Sequence, residues 1–341
     1  MPGVERLEVS ASAAGERLDR FLAQHFPALS RTRLAALIRE GHVRVAGAPA
    51  KPARRVSPGD LVEIEIVQPP PLGAVPAEVP LEILYEDEDL VVVNKPAGLV
   101  VHPGAGSRGG ATLAGALLYR YGTLPLPPGR ESAARPGIVH RLDKGTSGVL
   151  VAARNDAAHR ALAAQFAARS VEKTYLALVH GKLKQPAGSI RLAVARDQHR
   201  RTRMTARPLR PGGAAAGRAA HTDWRALATI GHFTLVEIGL RTGRTHQIRV
   251  HFSALGHPVA GDALYGAPKN PWPGGESRAT LPRLERPFLH AARLAFAHPR
   301  TGRRIEARAA LPADLREFLA ALCTATGVPE AEIDAALRSY L

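Results

Sequence analysis

The sequence predicts an α+β protein in which a small α/β module precedes a larger domain built on a central mixed, mostly antiparallel sheet. Two observations indicate this class. Beyond residue 80 the chain has many short β-rich runs and few helices, and a proline-rich segment, "QPPPLGAVPAEVP", separates that part from residues 16–67. Because proline neither donates to a sheet nor continues a helix, we interpret residues 68–80 as an extended linker. The other segments are a main domain, 81–311, and a helical extension, 312–341.

The module at 16–67 is predicted to contain two helices followed by two strands. "RLDRFLAQHF" places Leu18, Phe21 and Leu22 at helical spacing. "SRTRLAALIREG" carries an apolar stripe between Ser30, a candidate N-cap, and Gly41, a candidate stop. "HVRVAG" and the alternating "DLVEIEIV" have the pattern of strands.

The main domain is predicted to start with a strand, an acidic turn, a second strand and a Lys-Pro-Ala-Gly turn, within "LEILYEDEDLVVVNKPAGLVVHPG". Later strands are expected at "KTYLALVHG", "FTLVEIGL" and "GRRIEARA". One helix is expected around Leu113 and a second at "NDAAHRALAAQFAAR", with Asn155 as its cap. The Arg- and Gly-rich stretch 195–220 is predicted to be a mobile basic loop, and 312–341 to form helices.

The charge of the chain indicates a polyanionic partner. Lys and Arg total 46 against 30 acidic residues, which gives a formal net charge of +16, and the pI is about 10.9. RNA and DNA are the first candidates. A coding bias would explain why 39 of the 46 bases are Arg, but it would not explain the excess of bases over acids.

Several classes of protein are disfavoured by what the sequence lacks. With a single cysteine, Cys323, neither an intrachain disulfide nor a cysteine metal site can form. The start, "MPGVERLEVS", has no apolar core of a signal peptide, and no run is long enough to span a bilayer. No glycine-rich phosphate-binding motif is present, so no nucleotide cofactor is expected. We therefore expect a cytoplasmic protein without membrane contact, and by default a monomer.

The stretch "GIVHRLDKGTSGVLVAARN" places one carboxylate, Asp143, in a cationic setting. If "GIVHRLD" is a strand, Arg141 and Asp143 point to the same side, with His140 and Leu142 on the other. A neighbouring guanidinium would favour the ionised carboxylate, and the following "KGTSG" would let the chain turn sharply. The alternative is a surface salt bridge worth about 0–1 kcal/mol. These residues alone favour the salt bridge slightly.

A second basic stretch is "LRTGRTHQIRVHFSALGHP". If its segment "HQIRVHF" is a strand, one face of that strand is apolar and the other is cationic. Within the whole stretch lie Arg241, Arg244, His246, Gln247, Arg249 and His251. No acidic residue or cysteine lies at ligand spacing to the histidines, so no metal is expected. In "VEKTYLALVHGK", Tyr175 alternates with apolar neighbours and could equally be a half-buried core tyrosine.

Together, "HRLDKGTSGVLV", "EKTYLALVHG" and "GRTHQIRVHFSALGHPVAGDALYG" resemble, in order, the motifs of the pseudouridine synthases that modify large-subunit ribosomal RNA. The upstream "NKPAGLVVHPG" fits the same family, and the resemblance covers 81 to about 311. Residues 16–67 resemble the RNA-binding module first described in a small-subunit ribosomal protein. The resemblance implies the pseudouridine synthase fold and conversion of uridine to pseudouridine without a cofactor.

The resemblance also implies roles for single residues. Asp143 is the catalytic aspartate, Tyr175 lies under the target uracil, and Arg249 pairs with the Asp143 carboxylate. Arg141 takes the space left by the extruded base. Further RNA contacts are expected from Arg244, His246 and Gln247 in the main domain and from Arg31, Arg33 and Arg39 in the module.

Two other functions fit parts of the pattern. A non-catalytic RNA-binding or ribosome-assembly protein would explain the charge and the module, with Asp143 purely structural. An RNA hydrolase could use His246 or His251 as acid and base, although no partner carboxylate lies nearby in the sequence. Within the isomerase hypothesis, attack at C1′, addition at C6 and abstraction of the C2′ proton all remain open.

Overall fold

The computed structural model describes residues 4–27, 29, 31–66, 73–104, 110–127, 132–198, 200, 202–209, 217–268 and 281–340, without the side chains of 32, 33 and 132. The chain divides into two compact units, Met1–Pro71 and Leu72–Leu341. None of the helices in these ranges is both long and apolar enough to cross a membrane.

The first unit packs two helices on a four-stranded antiparallel sheet. Its elements are β1 (Val4–Glu8), α1 (Leu18–His25), α2 (Arg31–Arg39), β2 (Val43–Val45), β3 (Ala48–Pro49) and β4 (Leu61–Glu65). The strand order is β1-β4-β2-β3, so this unit begins before residue 16. Leu18, Phe21 and Leu22 are buried, as their helical spacing predicts. The candidate cap Ser30 lies outside the described residues.

A ten-stranded sheet forms the centre of the second unit. Its strands are β5 (Glu82–Glu86), β6 (Leu90–Lys95), β7 (Ser147–Ala153), β8 (Glu172–His180), β9 (Ala187–Arg196), β10 (Met204–Arg207), β11 (Arg218–Ile230), β12 (Phe233–Leu240), β13 (Leu289–Ala297) and β14 (Arg304–Arg308). The order is β10-β9-β11-β12-β8-β13-β7-β6-β5, with β14 also on β13. Only the pairing of β7 with β13 is parallel among the described strands, which confirms the predicted mixed, mostly antiparallel sheet.

Five helices accompany this sheet in the described ranges: α3 (Leu113–Tyr121), α4 (Asp156–Ala168), α5 (Gln247–Ala254), α6 (Ala313–Thr326) and α7 (Glu330–Leu337). The side chain of Asn155 accepts a hydrogen bond from the Ala158 amide at 2.9 Å and caps α4, as predicted. Thr112 caps α3 in the same way through the Gly115 amide.

The parallel pairing brings the start of β7 against β13. His290 lies opposite Ser147, and Ala291 lies opposite Gly148. Gly148 has a φ of +114°, and a Cβ atom there would collide with the Ala291 backbone. Glycine is therefore required where β7 begins. This close approach fixes the start of β7, and with it the end of residues 137–146, the segment that leads into that strand.

Both basic stretches differ from the predicted strands. Residues 139–146 form a bend and a turn before β7, with only an isolated bridge at Ile138, so the Arg141–Asp143 alternation of a strand does not apply. "HQIRVHF" is the start of α5. Its residues 247–252 are all buried, so the polar residues lie inside the protein as deeply as the apolar ones. A strand pattern could not be distinguished from a buried helix here.

Three other segments are more ordered than predicted. The stretch 195–220 contains β10 and the ends of β9 and β11, because its small residues pair across the sheet. Between residues 312 and 340 the chain forms α6 and α7, as predicted, but Leu315, Phe318 and Leu322 pack into the main core instead of forming a separate extension. Within the predicted linker, the Ala74 and Ala77 amides donate to Ala133 and Gly115, so 73–80 runs along the second unit.

Candidate active site

Backbone and side-chain contacts hold the loop that carries Asp143. The Thr146 amide donates to the Asp143 carbonyl, and the Gly98 amide donates to the Lys144 carbonyl at 2.8 Å. Nη1 of Arg286 lies 3.3 Å from both the Gly145 carbonyl and the Ser147 hydroxyl. The same guanidinium binds Asp314 at 2.6 and 2.8 Å, so it links the first turn of α6 to the loop.

His140 serves this loop as a packed, neutral ring. Its imidazole stacks on Phe166 with the ring centroids 4.5 Å apart, and Nε2 accepts a hydrogen bond from the Val151 amide at 3.0 Å. Burial lowers the pKa of His140 to about 3. The imidazole is therefore neutral, and its Nε2 is used in the hydrogen bond to Val151.

The entry into α5 is shaped by Gln247. Its amide oxygen accepts hydrogen bonds from the Thr242 hydroxyl at 2.7 Å and the Arg244 amide at 3.0 Å. Its amide nitrogen donates to the His221 carbonyl and the Thr222 hydroxyl. Gln247 is only 2% exposed, so it organises the turn instead of contacting RNA. This corrects the role that the sequence suggested for it.

Arg249 lies between two carboxylates. The Asp262 carboxylate accepts hydrogen bonds from Nε of Arg249 at 2.6 Å and from its Nη2 at 2.8 Å. Nη1 of Arg249 is 3.3 Å from Oδ2 of Asp143. Burial disfavours the charged guanidinium, but the hydrogen bonds and charges of Asp262 and Asp143 outweigh it and raise the pKa of Arg249. Arg249 is therefore a permanent cation beside Asp143, in the position that the strand prediction assigns to Arg141.

Tyr265 and His246 complete the other wall of this site. Arg249 lies over the Tyr265 ring at 4.9 Å. The Tyr265 hydroxyl accepts a hydrogen bond from the Met204 amide and lies 2.8 Å from Nδ1 of His246. If the hydroxyl donates to Nδ1, the imidazole proton resides on Nε2, which is 4.0 Å from Oδ1 of Asp143. Burial lowers the pKa of His246 and outweighs the charge of Asp143, which would raise it. The neutral ring is therefore favoured.

Tyr175 comes to the same cavity from β8. It is 8% exposed, and burial together with the nearby charge of Asp143 raises the pKa of its phenol. The side chain is therefore a neutral aromatic ring at physiological pH. The alternating pattern of β8 correctly predicts the strand, and the adjacent cavity distinguishes this tyrosine from an ordinary core residue.

These residues line a cavity of about 380 Å³. Asp143 is the sole carboxylate among the described residues of its lining, and Tyr175, His246 and Arg249 line the same space. Among the described lining residues, six are cations: Arg141, Arg169, Lys173, Arg241, Arg244 and Arg249. The cavity thus combines a carboxylate, an aromatic wall and a strongly positive rim suited to phosphate groups.

A buried lysine stabilises the turn that contacts the Asp143 loop. Lys95 is fully buried, and its ammonium donates to the carbonyl oxygens of Pro96 and Leu99 at 2.7 and 2.9 Å. Burial, and secondarily the charge of Arg286, lowers the pKa of Lys95 to about 7. The turn that it closes includes Gly98, the residue bonded to the Asp143 loop.

The other predicted residues lie in different settings. Arg141 is exposed at the cavity, and Arg244 lines it while its Nε donates to the Ala219 carbonyl. In the first unit, Arg31 is bound to both oxygens of Asp19 at 3.1 Å, and Arg39 is exposed on the last turn of α2. The side chain of Arg33 lies outside the described residues.

Sequence reasoning missed five residues that shape the site: Lys95, Arg169, Lys173, Asp262 and Arg286. Asp262 belongs to "GDALYG", which carries part of the resemblance but no assigned role. A buried acid shortly after a helix rich in basic residues could have been proposed as a partner for Arg249. Arg169 and Arg286 give no sequence signal, because only the fold brings them to the cavity and the loop.

In the described part of the chain, one group of side chains is close enough to share a metal ion: Asp87, Asp89 and His298. Its ligand atoms are already occupied. Asp87 accepts from the Tyr85 hydroxyl, His298 and two backbone amides, and Asp89 binds Arg300 at 2.7 Å. Although burial opposes it, these bonds lower the pKa of Asp87 to about 2. The cluster thus joins two turns of the sheet through hydrogen bonds and ion pairs within the protein.

This cationic cavity is suited to RNA, and comparisons with known proteins give the family of the chain. Residues 89–254 match the family model described as RNA pseudouridylate synthase, and residues 16–62 match the S4 domain. The ribosomal large subunit pseudouridine synthase D of Xanthomonas campestris is 42% identical over 316 residues, which cover 92% of this chain and 91% of the relative.

Further relatives agree. An RNA pseudouridine synthase of Chloroflexus aurantiacus is 45% identical over 311 residues, 91% of each chain. The solved structure of human RNA pseudouridylate synthase domain containing 4 matches 71% of this chain and 92% of its own, with 25% identity and a TM-score of 0.53. The chain belongs to the RNA pseudouridine synthase family. It is an enzyme that isomerises uridine in RNA to pseudouridine, as the motifs imply.

Proposed function

We propose that the enzyme modifies uridines of large-subunit ribosomal RNA and that Asp143 is its catalytic residue. The observation that carries the second part is the position of Asp143, the sole carboxylate in the described lining of a cationic cavity, 3.3 Å from a fixed guanidinium. The names of the bacterial relatives and the S4 domain support ribosomal RNA as the substrate.

The reaction is an isomerisation in which atoms balance without a second substrate. The N1–C1′ bond of uridine breaks, the base rotates, and C5 bonds to C1′. The C5 proton then leaves, and N1 is protonated. The target edge is hidden in stacked RNA, so the nucleotide flips into the cavity at a cost of a few kcal/mol, which is least where the base is already unpaired.

Each side chain of the cavity has a part in this proposal. Asp143 acts on the sugar or the base, and Arg249 keeps it oriented and stabilises its negative charge. The neutral ring of Tyr175 stacks under the uracil and offsets part of the flipping cost, about 1–3 kcal/mol per base. Arg141, exposed at the rim, fills the space left in the RNA, and Arg244 and His246 contact the strand.

The S4 unit supplies additional RNA affinity through the binding of phosphates by Arg31, Arg33 and Arg39. Arg31 remains 53% exposed at its side chain while it pairs with Asp19, so it can reach a phosphate without leaving that partner. Removal of one such cation lowers the salt slope of binding to a single strand by about 0.7. The enzyme acts as a monomer and without a cofactor, since the isomerisation needs neither redox chemistry nor energy input.

Pseudouridine mapping of ribosomal RNA tests the assignment. Large-subunit RNA from cells with the gene deleted should lack one or more pseudouridines that reappear when the wild-type chain is restored, but not when Asp143→Asn is restored. An unchanged map would refute the substrate. Full complementation of growth by Asp143→Asn, with the pseudouridines still absent, would mean that an RNA-binding or assembly role accounts for the growth phenotype.

The hydrolase alternative loses support from the geometry. His251 is fully buried and its Nδ1 is bonded to Thr222, so it cannot reach a phosphodiester. His246 has a carboxylate nearby, but this is Asp143 itself. Incubation with labelled ribosomal RNA should therefore yield no cleavage products.

A further inference from the structure

A second cavity adjoins the active-site cavity. Its volume is about 470 Å³, which is within the range of ligand sites. Four residues line both spaces: Arg169, Lys173, Leu240 and Arg241. The second cavity continues along β8, β11 and β12. None of the roles proposed above involves this space.

The wall between the two cavities carries two cations that lack an acidic partner in the described part of the chain. Neither the Arg169 guanidinium nor the Lys173 ammonium forms an ion pair there. Burial, and secondarily the charge of the nearby Arg169, lowers the pKa of Lys173. The other arginines of the second cavity differ. Arg225 pairs with Glu237 at 3.2 Å, and Arg241 pairs with Asp223 at 2.9 Å.

The backbone conformation of Arg169 is also unusual. Arg169 ends α4 with φ 60° and ψ 28°, the left-handed conformation in which glycine is the common residue. An arginine there gives up some conformational stability. Its side chain is placed at the partition between the two cavities. The position is thus strained in backbone and provides a cation that no described acid neutralises.

We propose that the second cavity binds the nucleotide adjacent to the target uridine and that Arg169 and Lys173 bind the phosphodiester joining the two. This rests on the proposed function, since it presupposes that the target base enters the first cavity. A partition that carries unneutralised positive charge is where the linking phosphate of two consecutive nucleotides would lie. The chemical class of the ligand is a ribonucleotide within a single strand.

The lining of the second cavity can distinguish one neighbouring base from another. Donors and acceptors line it on Thr174, Asp223, Arg225 and Arg293. The indole of Trp224 lies on the other face of β11, where it packs on Gly188 and Phe252. Side chains that carry both donors and acceptors suit recognition of the edges of an unpaired base. The site therefore contributes to sequence context around the modified uridine.

The binding of the phosphate is tested with Arg169→Gly and Lys173→Gln. Arg169→Gly removes the cation while it suits the left-handed backbone, so a weaker affinity cannot be attributed to misfolding. With a ribosomal RNA fragment around a mapped target, KM should rise about tenfold in each variant, as expected when one hydrogen bond to a charged group is removed, with little change in kcat. The slope of log affinity against log salt should fall by about 0.7.

Arg160→Gln is the matched control, since Arg160 is exposed on the same helix and lines neither cavity. It should leave KM and the salt slope unchanged. If Arg169→Gly and Lys173→Gln each keep the wild-type KM and the wild-type salt slope, the proposed phosphate site is wrong. If the wild-type enzyme forms no pseudouridine in any ribosomal RNA fragment, the proposed substrate has failed, which is a separate result.

Occupancy of the second cavity is tested with RNA fragments made abasic at the position next to the uridine, with each side of the uridine tested in turn. One abasic fragment should have a higher KM than the intact fragment, because it lacks the base that the cavity binds. Equal KM values for the intact and both abasic fragments, while pseudouridine still forms, would show that the cavity stays empty.

Discussion

Arg249 reaches Asp143 through Nη1 alone, at 3.3 Å, because Asp262 occupies the Nε and Nη2 edge of the guanidinium. Asp262 is 1% exposed and lies just beyond α5. The bidentate pair fixes the plane and direction of the cation. One oxygen of Asp143 therefore interacts with a positioned charge, while the other faces the cavity wall formed by His246.

Replacement of Asp262 by Asn should reduce turnover more than substrate binding. The charged bidentate pair is broken, so the guanidinium can rotate away from Asp143, and misplacement of this kind costs up to about a hundredfold in rate. Steady-state kcat and KM would be measured on a ribosomal RNA fragment. Glu86→Gln, which removes ion pairs with Arg120 and Arg154 and lies outside the lining of both cavities, is the control. A folded Asp262→Asn enzyme with wild-type kcat would contradict this role.

Arg286 should act as a positioning residue for the catalytic loop. Arg286→Gln removes the link from Asp314 to the Gly145 carbonyl, so the loop loses an anchor two residues after Asp143. We expect kcat to fall by about tenfold to a hundredfold with a smaller change in KM. Arg283→Gln is the matched control, because Arg283 is 84% exposed at its side chain and pairs only with Glu285 among the described residues. Equal kinetics in the two variants would exclude positioning by Arg286.

Tyr175 should contribute mainly through its ring. Its phenol has a raised pKa and stays neutral, so Tyr175→Phe should retain RNA affinity while Tyr175→Leu loses stacking worth about 1–3 kcal/mol. Binding would be measured with an RNA fragment in the Asp143→Asn background, where no turnover intervenes. If Phe and Leu weaken binding equally, the hydroxyl and not the ring carries the interaction.

Lys95 should make stability depend on pH. Its pKa falls from 10.5 to about 7 on folding, so between these values the unfolded chain holds the proton and the folded chain does not. The free energy of unfolding therefore rises with pH across this window. Lys95→Met lacks the effect, although it leaves the Pro96 and Leu99 carbonyls unpaired at every pH. The Tm of wild type minus that of Lys95→Met should widen from pH 7 to pH 10. A difference in Tm that stays constant with pH would mean that folding does not lower the pKa of Lys95.

Much of the fold follows from local patterns in the sequence. The alternation in β4 and β12 and the Asn155 cap of α4 depend on neighbours a few residues apart, so they are predictable. The helix α5 is not, because residues on all its sides are buried and helical and strand periodicities look alike. The strand β10 also escapes prediction, since "MTAR" is too short to show a strand pattern and is held by pairing with β9.

The residues of the site also fall into those that the sequence predicts and those that it does not. Asp143, Tyr175 and Arg249 are predictable from motifs, and the fold brings them to one cavity. The local pairing of Arg141 with Asp143 is wrong, because the segment bends and the partner comes from a helix 106 residues away. Asp262, Arg286 and Arg169 depend on long-range packing, which no short pattern reveals.

The most direct test of the central claim is tritium release from RNA labelled at C5 of uridine, with Asp143→Asn and with Asp156→Asn as an exposed control. Loss of the reacting carboxylate should reduce release by at least about a hundredfold while RNA binding is retained, and the control should match wild type. Release by Asp143→Asn at the wild-type rate would contradict the account.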